Sequence, residues 1–398
     1  MTHPQRSNQV GDANCTINRR EFASMALGGA ALLASPWTSS ALSPSIPPGI
    51  KIGTYARHPS PENMLYLRQL GVTWISSGDI TPETATIEGF TRMRERWEAG
   101  GFKVYNESGR IAPGGAAVIN VPEIVLNLPG RDQKIDEYLN YLRYLGKAGI
   151  HYMTYGFEGN GNWRSGTAIS RRGYTASDCD LSSPNFHGGW NGTTYKEPLS
   201  HGRVFSSEEV WENFTYFIKK VVPVAEDSGV KIGIHPDDPP QPVLAGVPRL
   251  FSSFAGYKRA LETANSPNVG ICLCVGSWLE GGARMGADPV EVIKYFGARK
   301  KLFKIHFRNV TSPLPHFTEA LMDDGYYDMY KVMEALVETN FDGLVIPDHV
   351  PELGSPGGPT PAVTQDASGH FQPSPGLAYS LGYLNATLKA ALSNKFRA

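Results

Sequence analysis

From residue 50 onward the chain alternates short apolar runs rich in Val, Ile, Tyr and Phe with longer stretches of helical period, and the alternation repeats eight times. Few architectures accept such a pattern. A strand, an amphipathic crossover and another strand build a parallel sheet, and eight such units close a (β/α)8 TIM barrel, which needs roughly 250 residues. Strands are read at 50–55, 72–77, 103–108, 151–157, 231–236, 269–275, 302–307 and 343–348. Helices are read at 60–70, 84–99, 131–148, 206–228, 249–264, 288–298, 327–340 and 377–393. Ser60 ahead of Pro61, and Ser207 ahead of a Glu-Glu-Val-Trp run, read as helix starts.

Two stretches interrupt the rhythm. Residues 159–205 are polar and rich in Gly, Asn and aromatics, and residues 351–375 are rich in Pro and Gly. They follow the fourth and eighth strands, so in a barrel both emerge at the C-terminal face, where long loops act as lids over an active site. The expected organisation is one barrel domain over 42–398.

Residues 18–41 hold the pair Arg19-Arg20, then Phe22, an apolar run of about a dozen residues and small residues suited to cleavage. This resembles a twin-arginine signal. It predicts that residues 1–41 direct the chain through the twin-arginine export machinery to the periplasm. A membrane span needs about 20 apolar residues, so no stable membrane anchor is expected. The net charge of -1 and the absence of a basic stripe interleaved with aromatics argue against nucleic acid as a partner. A homo-oligomer is compatible with this composition.

Of the four cysteines, Cys15 falls in the leader, and Cys272 and Cys274 are too close along one strand for a relaxed disulfide. Cys274 ends the sixth strand, and polar residues also end its neighbours: His235 on the fifth, His306 on the seventh and Asp348 on the eighth. In a barrel these ends converge at the C-terminal face. Two imidazoles, a thiolate and a carboxylate suit Mn²⁺, Fe²⁺ or Zn²⁺ better than Ca²⁺ or Mg²⁺, which prefer oxygen donors. Cys272 is assigned to the neighbouring layer of the strand. Arg308, directly after His306, could clamp a carboxylate or form a salt bridge with Asp237 or Asp238 at the barrel rim. Arg164, Asp237 and Glu107 are further candidates for substrate contact, and Trp163 is expected to pack beneath the first lid.

The segments HPDDPPQPVLAGVPRL from His235, LCVGS from Leu273, HFRN from His306, DDGYYDMYKVMEAL from Asp323 and PDH from Pro347 occur in the order found in the metal-dependent mannonate dehydratases, relatives of the xylose isomerase-like barrels. NESG at 106–109 and NWRS at 162–165 extend the likeness. The resemblance implies elimination of water from a sugar acid, D-mannonate giving 2-keto-3-deoxy-D-gluconate. It also implies Mn²⁺ or Fe²⁺ on His235, Cys274, His306 and Asp348, with His349 and Tyr379 moving protons. Removal of a proton alpha to a carboxylate requires charge stabilisation, and such a metal suits that chemistry. The chain departs from the family where RPDHGH becomes Ile346-Pro347-Asp348-His349-Val350-Pro351. That change admits an alternative: a metal-dependent sugar isomerase or epimerase, or a lyase acting on a different oxidised sugar or glycoside.

Overall fold

The computed structural model describes residues 49–108, 121–190, 192–354 and 373–395, all within one compact unit, Pro47–Ala398. The expected leader and most of 351–375 lie outside the described residues.

Eight parallel strands form a nearly closed barrel: β1 (Lys51–Ala56), β2 (Trp74–Ser77), β3 (Lys103–Glu107), β4 (Tyr152–Tyr155), β5 (Lys231–Ile234), β6 (Val269–Cys274), β7 (Leu302–Phe307) and β8 (Leu344–Pro347). Their order around the sheet is β3-β2-β1-β8-β7-β6-β5-β4, and β3 and β4 approach at the seam without a hydrogen-bonded ladder. Every strand matches a sequence-predicted one to within a few residues. The alternation thus places the strands, as expected where both faces of a parallel sheet are covered.

Eight crossover helices follow in turn: α1 (Pro61–Gln69), α2 (Ile87–Ala99), α3 (Arg131–Lys147), α4 (Ser207–Asp227), α5 (Phe254–Ala264), α6 (Pro289–Ala298), α7 (Met329–Glu338) and α8 (Pro375–Lys395). Ser60 caps α1 as read, its hydroxyl accepting from the Asn63 N–H at 3.2 Å. The cap of α4 is Ser206 rather than Ser207, with Ser206 Oγ accepting from the Glu209 N–H at 3.1 Å. Helix α4 carries Pro223 in its interior, which costs about 3 kcal/mol. Val210, Trp211, Phe214, Phe217, Ile218 and Val221 are buried on the same helix, at about 2 kcal/mol each, so packing outweighs the proline.

The barrel interior has two storeys. Trp74, Tyr105, Tyr152, Phe303, Leu344 and Ile346 form an apolar cluster although they come from β2, β3, β4, β7 and β8. Strands that are not neighbours in the sheet can bring side chains together only across the interior. The pairing slips by one residue where β2 meets β3, leaving Tyr105 extra, and again where β6 meets β7, leaving Phe303 extra. Such bulges re-aim the following side chains. Here Tyr105 Oη donates to the Phe303 carbonyl at 2.8 Å, tying the two irregularities together.

Residues 159–205 are not the irregular loop that their composition suggests. Asn162–Arg164, His187–Trp190 and Thr193–Tyr195 form a three-stranded antiparallel sheet. Gly166–Ile169 and Thr175–Asp180 join His316–Ala320 and Asn309–Val310 in a four-stranded one. Most of these pairings are local hairpins hidden by the polar, Gly-rich composition, and only the pairing of Thr175–Asp180 with His316–Ala320 reaches across as many as 140 residues. Among the described residues, no helix is long and apolar enough to cross a membrane.

Candidate active site

Strand pairing sets two of the candidate donors face to face, since Cys274 is opposite His306 in the β6–β7 register. His235 follows β5 directly, with its own N–H donating to the Tyr155 carbonyl at 2.8 Å. Its Nδ1–H donates to the Pro236 carbonyl at 2.7 Å, which leaves the Nε2 lone pair directed at His306 Nδ1, 3.2 Å away. The donor atoms of His235, Cys274 and His306 all lie within 4.8 Å of one another. Asp348 Oδ2 is 3.6 Å from both Cys274 Sγ and His306 Nδ1.

Two ring nitrogens, a sulfur and a carboxylate oxygen therefore converge at the mouth of the barrel. The chemistry and spacing of His235, Cys274 and His306 fit one first-row divalent ion, with Asp348 close enough to two of them to be a further donor.

Cys274 also begins a short helix, Val275–Gly281, where its sulfur accepts from the Ser277 N–H at 3.5 Å. Arg308 Nη2 donates to the same sulfur at 3.3 Å. Burial opposes ionisation of this thiol, yet Arg308 and the two imidazoles hold it well below the ordinary thiol value. The residue is thus poised as a thiolate donor. Cys272, two residues earlier on β6 and opposite Lys304 in the β6–β7 register, lies in the layer next to the donors. It neighbours His306 and Lys304, and although burial opposes this, the His306 ring brings its thiol down to about 7.

Behind the donors lies a buried ionic network. Arg308 is 1% exposed, and its guanidinium meets Glu319 at 2.7 Å, Glu280 at 2.8 Å, Ser277 Oγ at 2.9 Å and Asp238 at 3.5 Å. Arg164 grips Asp238 with two hydrogen bonds of 2.5 and 2.9 Å and reaches Glu319 at 3.0 Å. Three carboxylates thus crowd two guanidinium groups. The surplus falls on Glu280, which burial and Asp238 push well above the usual carboxylate range. Against the effect of burial, Arg164 and Arg308 hold Asp238 far below that range. Both guanidinium groups are thereby ion-paired with protein carboxylates, and both residues brace the site from behind.

Glu319 was not singled out by sequence, yet it links this network to the open side of the site. Its Oε1 accepts from His349 Nδ1–H at 2.6 Å, while His349 Nε2 is 3.9 Å from Asp348 Oδ2. His349 is 37% exposed on its side chain whereas Glu319 is buried, so the imidazole is the face that a ligand meets. Its only sequence signal is a carboxylate set in the otherwise apolar end of the run Phe317–Met322.

The remaining candidates are placed elsewhere. Asp237 is buried and accepts from the Phe251 N–H at 2.6 Å, and burial pushes its carboxyl up to about 6. Glu107 lies beside Tyr141 of α3, on the outer face of β3, while its neighbour Asn106 turns inward. Tyr379, on α8, donates to Asp323 at 2.7 Å and sits beneath Arg172 at 5.9 Å, outside the donor cluster. Trp163 is fully buried against Phe186, ring centroids 5.1 Å apart, and packs as read.

A family model described as D-mannonate dehydratase (UxuA) matches residues 188–369, a span that contains all four donors and His349. Mannonate dehydratase 2 of Halalkalibacterium halodurans is 31% identical over 247 residues, 57% of this chain and 70% of that protein. The mannonate dehydratase of Lachnoclostridium phytofermentans is 33% identical over 275 residues, 60% of this chain and 75% of that one. The chain belongs to the mannonate dehydratase family.

Among solved structures, mannonate dehydratase from Streptococcus suis serotype 2 superposes with a TM-score of 0.70 at 24% identity, covering 87% of this chain and 95% of that one. A xylose isomerase domain protein from Planctomyces limnophilus superposes at 0.51 and 13% identity, covering 87% and 99%. Both likenesses establish the barrel. In this mannonate dehydratase family member Ile346, just ahead of Pro347-Asp348-His349, is 3% exposed and packs with the apolar interior.

Proposed function

We propose that the chain is a hydro-lyase that eliminates water from a sugar acid, D-mannonate giving 2-keto-3-deoxy-D-gluconate. The observation that carries this reading is the Glu319–His349 pair set beside the His235–Cys274–His306 cluster and the adjacent Asp348. With Nδ1–H held by Glu319, His349 presents Nε2 as its working atom. Nε2 accepts the proton leaving the carbon alpha to the carboxylate and returns it to the hydroxyl departing from the next carbon. The resulting enol loses its O–H proton and takes one up at that next carbon, leaving a ketone and one water, with no net oxidation.

A divalent ion held by His235, Cys274, His306 and Asp348 supplies Lewis acidity for the negative charge that develops alpha to the carboxylate. The donor set favours Mn²⁺ or Fe²⁺ and also accepts Zn²⁺. Arg308 and Arg164 keep Cys274 and the carboxylates fixed against their mutual repulsion. We assign Tyr379 and Asp323, bridged by Arg172, to the rim that the 159–205 layer shares with α8.

The test is incubation of metal-loaded protein with D-mannonate and assay for a 2-keto-3-deoxy acid. Product that disappears on chelation supports the lyase. Interconversion of a neutral ketose without any keto-deoxy acid sinks it in favour of an isomerase. We further propose that residues 1–41 export the folded chain by the twin-arginine route. Arg19→Lys together with Arg20→Lys is expected to hold a fused reporter in the cytoplasm, and unchanged periplasmic reporter overturns that proposal.

A further inference from the structure

Lys304 is a lysine inside the barrel, 1% exposed. It lies two residues before His306 on β7, so both side chains leave the same face of the strand, roughly 7 Å apart along it. Its Nζ donates to Ser76 Oγ of β2 at 3.0 Å and to Asn106 Oδ1 of β3 at 3.3 Å. Neither strand neighbours β7 in the sheet, so the side chain crosses the interior and forms a polar floor directly beneath the donor cluster. Ser108 completes that floor, accepting from Asn106 Nδ2 at 2.9 Å and sharing a hydrogen bond with Ser76.

The two partners of the ammonium are neutral. Among the described residues, no carboxylate forms an ion pair with it and its third proton has no hydrogen-bond acceptor. A buried charge is normally paired, because desolvation is costly without a counter-ion. Arg164 and Arg308, the other cations near the site, are each ion-paired with Asp238, Glu280 and Glu319. Ile346, level with His306 in the β7–β8 register, supplies no charge. Lys304 is therefore a buried cation without a carboxylate ion pair among the described residues, one layer beneath the donor cluster on β7.

We propose that Lys304 is the residue that recognises the substrate's carboxylate, with Ser76 and Asn106 aiming its ammonium and its charge selecting acids over neutral sugars. The inference rests on the reading that the substrate is a sugar acid. The acid is then held at one end by Lys304 and presents its reacting carbons to His349.

The experiment measures binding apart from turnover. Full-length Mn²⁺-loaded protein and its Lys304→Met variant are titrated calorimetrically with D-mannonate and with neutral D-mannitol. Methionine keeps the volume and removes the charge. The expected result is at least a 30-fold loss of D-mannonate affinity, unchanged D-mannitol affinity, and a melting temperature equal to or above that of the wild type. Ser76→Ala, which leaves the charge in place, is expected to weaken D-mannonate several-fold only, and it serves if the first variant does not fold. Unchanged acid affinity, equal loss for acid and polyol, or no acid binding by the wild type overturns the assignment. Acid binding that depends on Lys304 without any keto-deoxy product retains it and removes the lyase reading instead.

Discussion

His349 donates its Nδ1–H to Glu319 Oε1 across 2.6 Å, and it does so from a left-handed backbone conformation with φ of 42°. That conformation is unusual for a residue with a side chain and costs of order 1–3 kcal/mol, so the surrounding contacts must hold it. Burial lowers the imidazole's proton affinity, but Asp348 and Glu319 more than reverse this and raise its pKa. In Glu319→Gln the carboxylate is gone, so the His349 pKa falls and the limb of the pH–rate profile owed to it moves to lower pH. Turnover is expected to drop about 10- to 100-fold. An unshifted limb with full turnover would remove His349 from proton transfer.

Cys274→Ala removes a donor atom that lies within 4.8 Å of both imidazole donors. Metal affinity is expected to fall by at least about tenfold, read as metal content by elemental analysis after dialysis. Cys272→Ala is expected to keep its metal, because its sulfur is not one of the converging donors. Equal metal content in wild type and Cys274→Ala sinks the four-donor site.

Arg308→Lys keeps the charge and loses the planar fork that spans Glu319, Glu280 and Ser277 at 2.7 to 2.9 Å. Carboxylates left without a partner in a buried network cost about 3 kcal/mol. The variant is expected to show a lower urea midpoint and weaker metal retention, since Arg308 is the main cation lowering the Cys274 thiol. A wild-type midpoint would mean that the fork is dispensable.

Glu158 lies in a separate buried group with Arg249 and Asp237. Burial pushes its carboxyl up to about 7, against the pull of Arg249 at 3.4 Å. A carboxyl raised in the folded state contributes its full stability below its unfolded pKa of 4.5 and loses it as pH climbs through about 7. Glu158→Gln stays neutral throughout, so its stability relative to wild type should rise between about pH 5 and about pH 8, by at most about 3 kcal/mol. Urea denaturation at both pH values checks this. A difference that is flat or falls with pH contradicts the assignment.

What the sequence by itself determined is the barrel and the placement of His235, Cys274, His306 and Asp348 at its mouth. Both follow from local periodicity: a buried parallel strand is a short apolar run, and a polar residue closing such a run must sit at the sheet's mouth, as His235, Cys274, His306 and Asp348 do. Tertiary structure alone decided which charges are available to a ligand. For Arg308 the sequence left open a substrate clamp or a salt bridge with Asp237 or Asp238, and the fold pairs it with Asp238 and adds Glu280 and Glu319; Arg164 reads as a substrate contact until the same carboxylates meet it, and Glu107 reads as a site residue until the β3 bulge turns Asn106 inward in its place. Glu319 and Lys304 gave little local signal, because their partners His349, Ser76 and Asn106 lie from 30 to 228 residues away. Strand periodicity is a property of adjacent residues and is written in the chain, whereas charge pairing across a barrel depends on which strands face one another once it closes.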